Sequence, residues 1–432
     1  MKKKNFAQEP PEFTDVLQAN VLIRELWEQL RHYQDKLTTS SRNSSKSPSA
    51  DTPAAKAERK KPERPRSANQ RGAQPGHEGH KRPLALLDST EYQLVDGRCC
   101  GCDVVVKAKR PDTMPQGQMG PRLLSYIAVL AGEYHLSVRK IQRLLKDTYG
   151  VHFSVGAISE AQGKVSSMLT PTHQALHQRV KQADVVHADE TSHHRNGENR
   201  TRWFWLAVTG QAVFQAIRSS RSQQDAQFLL GADTSSIVIS DRCPSYNWLP
   251  AQRHQFCWAH IVRNLQQMAD YAGKGLTAKI GQRLTLLSKA VFRVQHRFEE
   301  HEINEERWRR RMQSLRKRLN HWLAQGLAVP ASRYAGRCKS ILGQEAGLWV
   351  FLNHPGLSLT NNEAERRLRG TVILRKISFG TTSDRGDKFR ARVLSIIETC
   401  KVQELSPLAT LHGLISAAMA KQHAPEVFNL TV

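Results

Sequence analysis

The chain has 432 residues, 39% of them hydrophobic, enough for a packed core in part of a multidomain protein. Its 64 Lys and Arg outnumber 39 Asp and Glu, and the resulting net charge of +25 points to a polyanionic partner, since each neutralised phosphate releases counterions. No apolar run is long enough for a membrane span, Met1-Lys2-Lys3-Lys4-Asn5-Phe6 leads into no apolar signal segment, and seven cysteines, an odd number, fit a reducing cytoplasm.

Residues 1–38 carry Val16, Ala19, Ile23, Leu26, Leu30, Tyr33 and Leu37 at alternating spacings of three and four. That spacing predicts a helix with a zipper-like stripe, either a short coiled coil between chains or an amphipathic helix packed on its own domain. Residues 39–83 read as a disordered basic linker: Ser, Pro, Ala, Lys and Arg dominate, with eleven Lys and Arg against four Asp and Glu between Ser41 and Arg82. Residues 84–115 contain Cys99 and Cys102, the spacing of a zinc knuckle, with Cys100, His77 and His80 as the other nearby donors. Four ligands are needed and no second Cys pair follows, so this reads as a degenerate zinc-binding module with Cys99 and Cys102 as candidate zinc ligands.

Residues 116–180 read as helical. Leu123, Leu124, Ile127 and Leu130 share one face; Val138 to Gly150 is a helix ending on glycine; Ser154 caps another that carries Ile158 and Val165. Helix, short turn, helix is the pattern of a DNA-binding helix-turn-helix, and also of any helical hairpin.

The period changes in residues 181–272. Asp184–Asp189, Trp203–Thr209, Ala212–Arg218, Ser236–Asp241 and Arg253–Cys257 predict five strands, with turns at Asn196-Gly197 and Gly210-Gln211 and helices over 222–230 and 259–269. The order βββαβαβα describes an α/β domain whose first three strands form a meander. Residues 273–355 predict an inserted basic helical hairpin: Trp308, Met312, Leu315, Leu319 and Trp322 repeat on one face while Arg309, Arg310, Arg311, Arg316, Lys317 and Arg318 point elsewhere, toward solvent or DNA. In residues 356–403 a helix starts at Thr360 or Asn361 as N-cap and holds Glu365 in its first two turns; another spans Arg390–Cys400. Residues 404–432 form a small helical tail.

Three acids recur where two-metal chemistry needs them. Asp189 ends the first strand, Asp241 ends the fourth 52 residues later, and Glu365 lies on a helix 124 residues further on. The first and fourth strands can lie side by side, bringing two carboxylates to one edge while a packed helix adds the third. Two Mg²⁺ or Mn²⁺ ions held there can activate a water or 3′-hydroxyl and stabilise the leaving oxygen. Neighbouring acids leave the choice open: Glu190 and Asp189 point to opposite faces of a strand, and Glu363 and Glu365 to different faces of a helix. Arg366, Arg367, Arg369, Arg375 and Lys376 are phosphate clamps beside Glu365.

Several stretches resemble the transposases of the insertion sequence 66 family, an Asp-Asp-Glu (DDE) group with a ribonuclease-H-like catalytic fold. They are Gln74-Pro-Gly-His-Glu-Gly-His80, His187-Ala-Asp-Glu-Thr191, Cys257-Trp-Ala-His260, Asn361-Asn-Glu-Ala-Glu-Arg-Arg-Leu-Arg369, Leu374-Arg-Lys376 and Ile397-Glu-Thr-Cys-Lys401. The block from Asn361 is the most specific. The resemblance implies that Asp189, Asp241 and Glu365 are the catalytic metal ligands, excluding Glu190 and Glu363, and that Cys257 and His260 support the active site without binding zinc. One departure concerns zinc: family members usually carry a second Cys pair, absent here. The resemblance further implies a bacterial, nucleoid-associated enzyme that binds the terminal inverted repeats of a mobile element and cuts and joins DNA strands. Its partners would be double-stranded DNA, a second copy of itself and accessory proteins of the same element. The rivals are a catalytically silent DNA-binding derivative and a ribonuclease-H-like nuclease that cuts without joining.

Overall fold

A computed structural model describes residues 15–44, 51, 97–98, 101–106, 119–378, 380–423, 425–426 and 428. Most of the basic linker, and Cys99 and Cys100 of the candidate zinc module, lie outside the described residues. Within that module Gly97–Arg98 (β1) pairs antiparallel with Val105–Val106 (β2), and Cys102 is exposed.

Helix α1 spans Val16–Leu37 and is capped by Asp15, whose carboxylate accepts the Leu17 N–H at 2.8 Å. Its apolar stripe stays in solvent: Ile23 is 59% and Leu30 61% exposed. The alternative in which this stripe packs on its own domain is therefore not what the structure has. The end of the helix docks through buried Asp35, which accepts the Ala272 N–H at 3.0 Å and the Tyr334 hydroxyl at 3.1 Å.

Four helices follow, α2 (Pro121–Gly132), α3 (Val138–Tyr149), α4 (Val155–Met168) and α5 (Thr170–Lys181). Ser137 and Ser154 cap α3 and α4 through their hydroxyls, and Gly150, at φ +66°, takes the left-handed conformation that ends α3. Leu124, Ile127, Leu130, Ile158 and Val165 are all buried, as their spacing predicts.

The sheet comprises β3 (Val185–His193), β4 (Arg202–Val208), β5 (Val213–Arg218), β6 (Ile237–Ser240) and β7 (His254–Phe256), in the spatial order β5-β4-β3-β6-β7. The first three strands form an antiparallel meander; β6 runs parallel to β3, and β7 parallel to β6. Helix α6 (Gln223–Leu230) leads to β6, and α7 (Trp258–Ala269) leaves β7. Two sequence expectations are corrected. Asp189 does not end its strand: pairing with β4 continues to His193↔Arg202, whereas pairing with β6 stops at His187↔Ile239. No helix joins β6 to β7; two short 3₁₀ turns do, Pro244–Tyr246 and Ala251–Arg253, where Pro244 and Pro250 offer no N–H for a helical ladder.

The insertion is α8 (Gly275–Glu299), α9 (Glu305–Gln325) and α10 (Ser332–Gly343), so a third helix joins the anticipated hairpin. Trp308, Met312, Leu315 and Leu319 are buried in a core shared with Ile239 and Phe256 of the sheet. The arginines of α9 divide: Arg316 makes a bidentate pair with Glu345 (2.6 Å each) and Arg309 donates to the Leu352 carbonyl, while Arg310, Lys317 and Arg318 are exposed.

The chain closes with α11 (Asn362–Ser378), α12 (Asp384–Val402) and α13 (Pro407–Met419). Alternation along the strands sorts their side chains onto two faces. Val186, Ala188, Trp205 and Phe214 join Ile127, Ile158, Val180, Val393 and Ile397 in one core. Phe204 and Leu206 meet Ala364 and Leu368 of α11 on the opposite face. Edge strand β5 is covered rather than open, since its Val213 and Gln215 N–H groups donate to Thr399 and Ser395 of α12.

Candidate active site

Asp189 and Asp241 each lie two residues beyond the His187↔Ile239 pair, on adjacent parallel strands. Side chains two apart on a strand share a face, so Asp189 turns to the α11 side with His187, while Asp241 stands just past the end of β6. Each is oriented by a backbone bond from just downstream: the Glu190 N–H donates to Asp189 Oδ1 and the Cys243 N–H to Asp241 Oδ1, both at 2.8 Å.

Glu365 arrives on the first turn of α11, and Asn361 fixes where that turn sits. The Asn361 carbonyl accepts the Glu365 N–H at 3.0 Å, so Asn361 stands at the helix start as its residue type predicts. Its buried side chain crosses to β3: the amide donates to the Ala188 carbonyl at 2.8 Å, and its oxygen lies 3.2 Å from His187 Nδ1. Its own N–H points at Cys257 Sγ, 3.2 Å away. One residue thus ties α11 to the strand of Asp189 and to the start of α7.

Cys257, His260 and Glu365 bring Sγ, an imidazole nitrogen and a carboxylate oxygen within 4.8 Å of one another. Burial raises the Cys257 thiol above its ordinary value, and burial and then Arg263 hold the His260 imidazole below its own. Glu365 is 3.1 Å from Arg263 Nη2 and 3.5 Å from His260 Nδ1. Arg263 was not singled out from sequence, although it lies one helical turn from His260 and so on the same face.

The electrostatics separate Asp189 from its neighbour. Burial, then the charges of Glu190, Asp241 and Glu365, push the Asp189 carboxyl well above the usual range. Among the described residues no Lys, Arg or His forms an ion pair with it. Glu190 leaves the opposite face of the strand and its side chain is fully buried, but its carboxylate, the Asp241 carboxylate and Cys243 Sγ lie within 4.8 Å of one another, so Asp241 stands close to both acids of β3. Arg221 pairs with its Oε1 (2.5 Å from Nη2), and the Tyr246 hydroxyl donates to its Oε2 at 2.7 Å. Burial and Asp241 raise Glu190, and Arg221 and Tyr246 offset part of that. Arg221 also lies 3.9 Å from Asp241. Arg221 and Tyr246 come from connecting segments whose pattern carries no signal for this role.

The basic residues of α11 fall into two groups. Arg367 pairs with Glu398 of α12 at 3.3 Å, and Arg375 donates to the Thr191 and Ser192 hydroxyls of β3 and to the Ser192 carbonyl. Both brace the helix. Arg366 pairs with Glu363 on its own surface at 3.1 Å, and Arg369 and Lys376 are exposed.

Comparison with known proteins fits this arrangement. Residues 8–83 match a family of unknown function. Two uncharacterized proteins of Sinorhizobium fredii (strain NBRC 101917 / NGR234) are similar: y4hP is 24% identical over 350 residues, covering 74% of this chain and 63% of that protein. For y4jD the identity is 23% over 347 residues, covering 73% of this chain and 66% of the relative. The match thus spans less than two thirds of these relatives' lengths. Residues 116–388, which include the sheet, the insertion and all three acids, match the family described as transposase IS66 family, and the chain belongs to that family.

Proposed function

We propose that this protein is an active DDE transposase whose ribonuclease-H-like catalytic domain uses Asp189, Asp241 and Glu365. The observation that carries the reading is that Asp189 and Asp241 lie side by side at the matched ends of the β3–β6 pairing, with the charge of Glu365 also acting on Asp189 and no basic side chain paired to Asp189 among the described residues. Uncompensated charge of this kind in a half-buried cleft is costly unless a cation is present, so the residues fit a divalent metal centre. All-oxygen donors suit Mg²⁺ or Mn²⁺. Two such ions, when bound, would activate a water or 3′-hydroxyl and stabilise the leaving oxygen. The sheet order, with a three-strand meander flanked by two parallel strands, supports the ribonuclease-H-like reading.

The chain's own residues supply position. Backbone N–H groups aim Asp189 and Asp241, and the Asn361 clamp holds the turn bearing Glu365. Arg263 and His260 hold Glu365 on the α7 side of the site, beside Cys257. Arg366, Arg369 and Lys376, on the exposed side of α11, contact DNA phosphates; Arg367 and Arg375 keep that helix on the sheet. Residues 1–180 bind the terminal inverted repeats, and the solvent-facing stripe of α1 pairs with a second copy so that two ends are held together.

The test is strand cleavage and joining on a duplex carrying the element's terminal repeat, with Mg²⁺ or Mn²⁺, wild type beside Asp241→Ala. Metal-dependent cut and joined products that vanish in the variant support the reading. Cut but unjoined products point to a nuclease, and tight end binding with no product from wild type points to a silent derivative.

A further inference from the structure

A cavity of about 400 Å³ lies between α3, α4 and the α11–α12 connection, away from the three acids. Lys140, Arg385 and Arg390 line it together with the hydroxyls of Ser137, Ser159 and Ser383, and no carboxylate does. A cleft of about 730 Å³ between α4 and α12 continues it, sharing Arg385 and adding Lys164, Lys388 and Arg392. The single acid of that cleft, Glu160, is spent on Lys164 at 3.0 Å.

The cations here contrast with several of the molecule's paired arginines. Arg385 donates to the Ser159 hydroxyl at 2.9 Å, and Arg392 to the Ser166 carbonyl at 2.8 Å and hydroxyl at 3.1 Å. Among the described residues no carboxylate pairs with Lys140, Arg385, Lys388 or Arg392, whereas Arg195, Arg202, Arg218 and Arg316 all have acidic partners. Burial lowers Arg392 from its ordinary value with no anion to offset it. Neutral acceptors leave a guanidinium's charge uncompensated, which suits a site whose anion comes from a ligand.

Spacing selects the ligand. Arg385, Lys388 and Arg392 recur at three and four residues, so they form one stripe on α12 about 10 Å long, the rise of roughly three nucleotides of one strand. Leu374, Ile377 and Ser378 at the far end of α11 also line the cavity. Leu374 lies nine residues from Glu365, about 14 Å along the helix axis, or about four nucleotide rises. The wall is braced: Thr381 bonds to His193 and Asp387, and pairs as a bridge with Arg195.

We propose that this cavity and its cleft hold the sugar-phosphate backbone of the DNA strand about four nucleotides from the phosphate cut at the acids, with Lys140, Arg385, Lys388 and Arg392 as the phosphate contacts. This rests on the transposase reading for the identity of the ligand. The test uses the full-length chain and a fluorescent terminal-repeat duplex carrying one neutral methylphosphonate linkage, moved stepwise along the strand from the element end. Affinity is read by anisotropy for wild type and for Arg385→Ala/Lys388→Ala. Losing two phosphate contacts should weaken binding about tenfold and reduce the salt slope by roughly 1.8. Wild type should lose most affinity for neutral linkages about four nucleotides from the cut, and the double variant should show no such penalty there. A variant that binds as wild type does, or that keeps the wild-type penalty profile, overturns the assignment. Should no protein cleave while the profile behaves as described, the catalytic reading fails and the backbone site stands.

Discussion

Asp189 and Glu190 are adjacent on one strand and carry the same charge, yet they live on opposite faces of the sheet in opposite circumstances. The α11 face leaves Asp189 near the charges of Asp241 and Glu365 with no basic partner among the described residues. On the other face, Glu190 is fully buried, held by Arg221 and Tyr246 and close to Asp241 and Cys243. A compensated carboxylate stabilises its surroundings, and an uncompensated one stores unfavourable charge that only a cation relieves. On the proposed reading, Asp189 carries the chemistry and Glu190 the architecture.

The sharpest way to break this contrast is Asp189→Asn. It should abolish metal-dependent strand cleavage, a loss of about a thousandfold or more, while leaving thermal stability equal to or above that of wild type, because a crowded charge is removed. A clear drop in melting temperature would place Asp189 among the structural acids. Glu190→Ala should do the reverse. It leaves Arg221 and the buried Tyr246 hydroxyl without their partner, at a cost of about 2–3 kcal/mol, reduced because Arg221 is partly exposed. Urea unfolding reads this directly, and an unchanged midpoint contradicts it.

Asn361→Ala tests whether the contrast depends on where α11 sits. Removing two buried hydrogen bonds should cost about 2 kcal/mol, and displacing Glu365 should lower cleavage at least about tenfold. Asn361→Ser, which keeps one bonding group, should recover part of both; full activity in the alanine variant argues against the clamp.

The smallest effect concerns pH. On the apolar face, burial pushes His173 and His177 down to about 4. His177 stacks on Phe214 at 3.9 Å and faces the Phe228 carbonyl. Unfolded histidine titrates near 6.5, so below that pH the unfolded chain takes up protons that the folded chain refuses until about pH 4. Stability from these groups is therefore complete above pH 6.5 and falls between about 6.5 and 4, by about 1 kcal/mol per pH unit for each histidine. His177→Gln should flatten this slope in urea titrations; an identical slope in wild type and variant rules the histidine out.

Much of this organisation is legible in the sequence because it is local. Alternation placed all five main strands, Gly150 and Ser154 marked a helix end and a cap, and the Asn361 block marked the start of α11. Non-local facts were not legible. That β3 outruns Asp189 depends on β4 pairing on one side after β6 has stopped pairing on the other. The missing β6–β7 helix was signalled by Pro244 and Pro250, whose weight in so short a connection was underestimated. Asn361 reads as an ordinary cap, and only the fold reveals that its amide is spent on β3. Arg367 and Arg375 look like Arg366 and Arg369 until Glu398 and Ser192 are brought beside them. The choice of Asp189 over Glu190 came from resemblance, since alternation states only that one of them faces α11.

The most direct test counts bound Mn²⁺ by electron paramagnetic resonance on the chain with its terminal-repeat duplex, comparing wild type, Asp189→Asn and Glu190→Gln. The account predicts Mn²⁺ bound by wild type and Glu190→Gln and lost in Asp189→Asn. Mn²⁺ retained by Asp189→Asn and lost in Glu190→Gln would contradict it, moving the metal centre to the other face of the sheet.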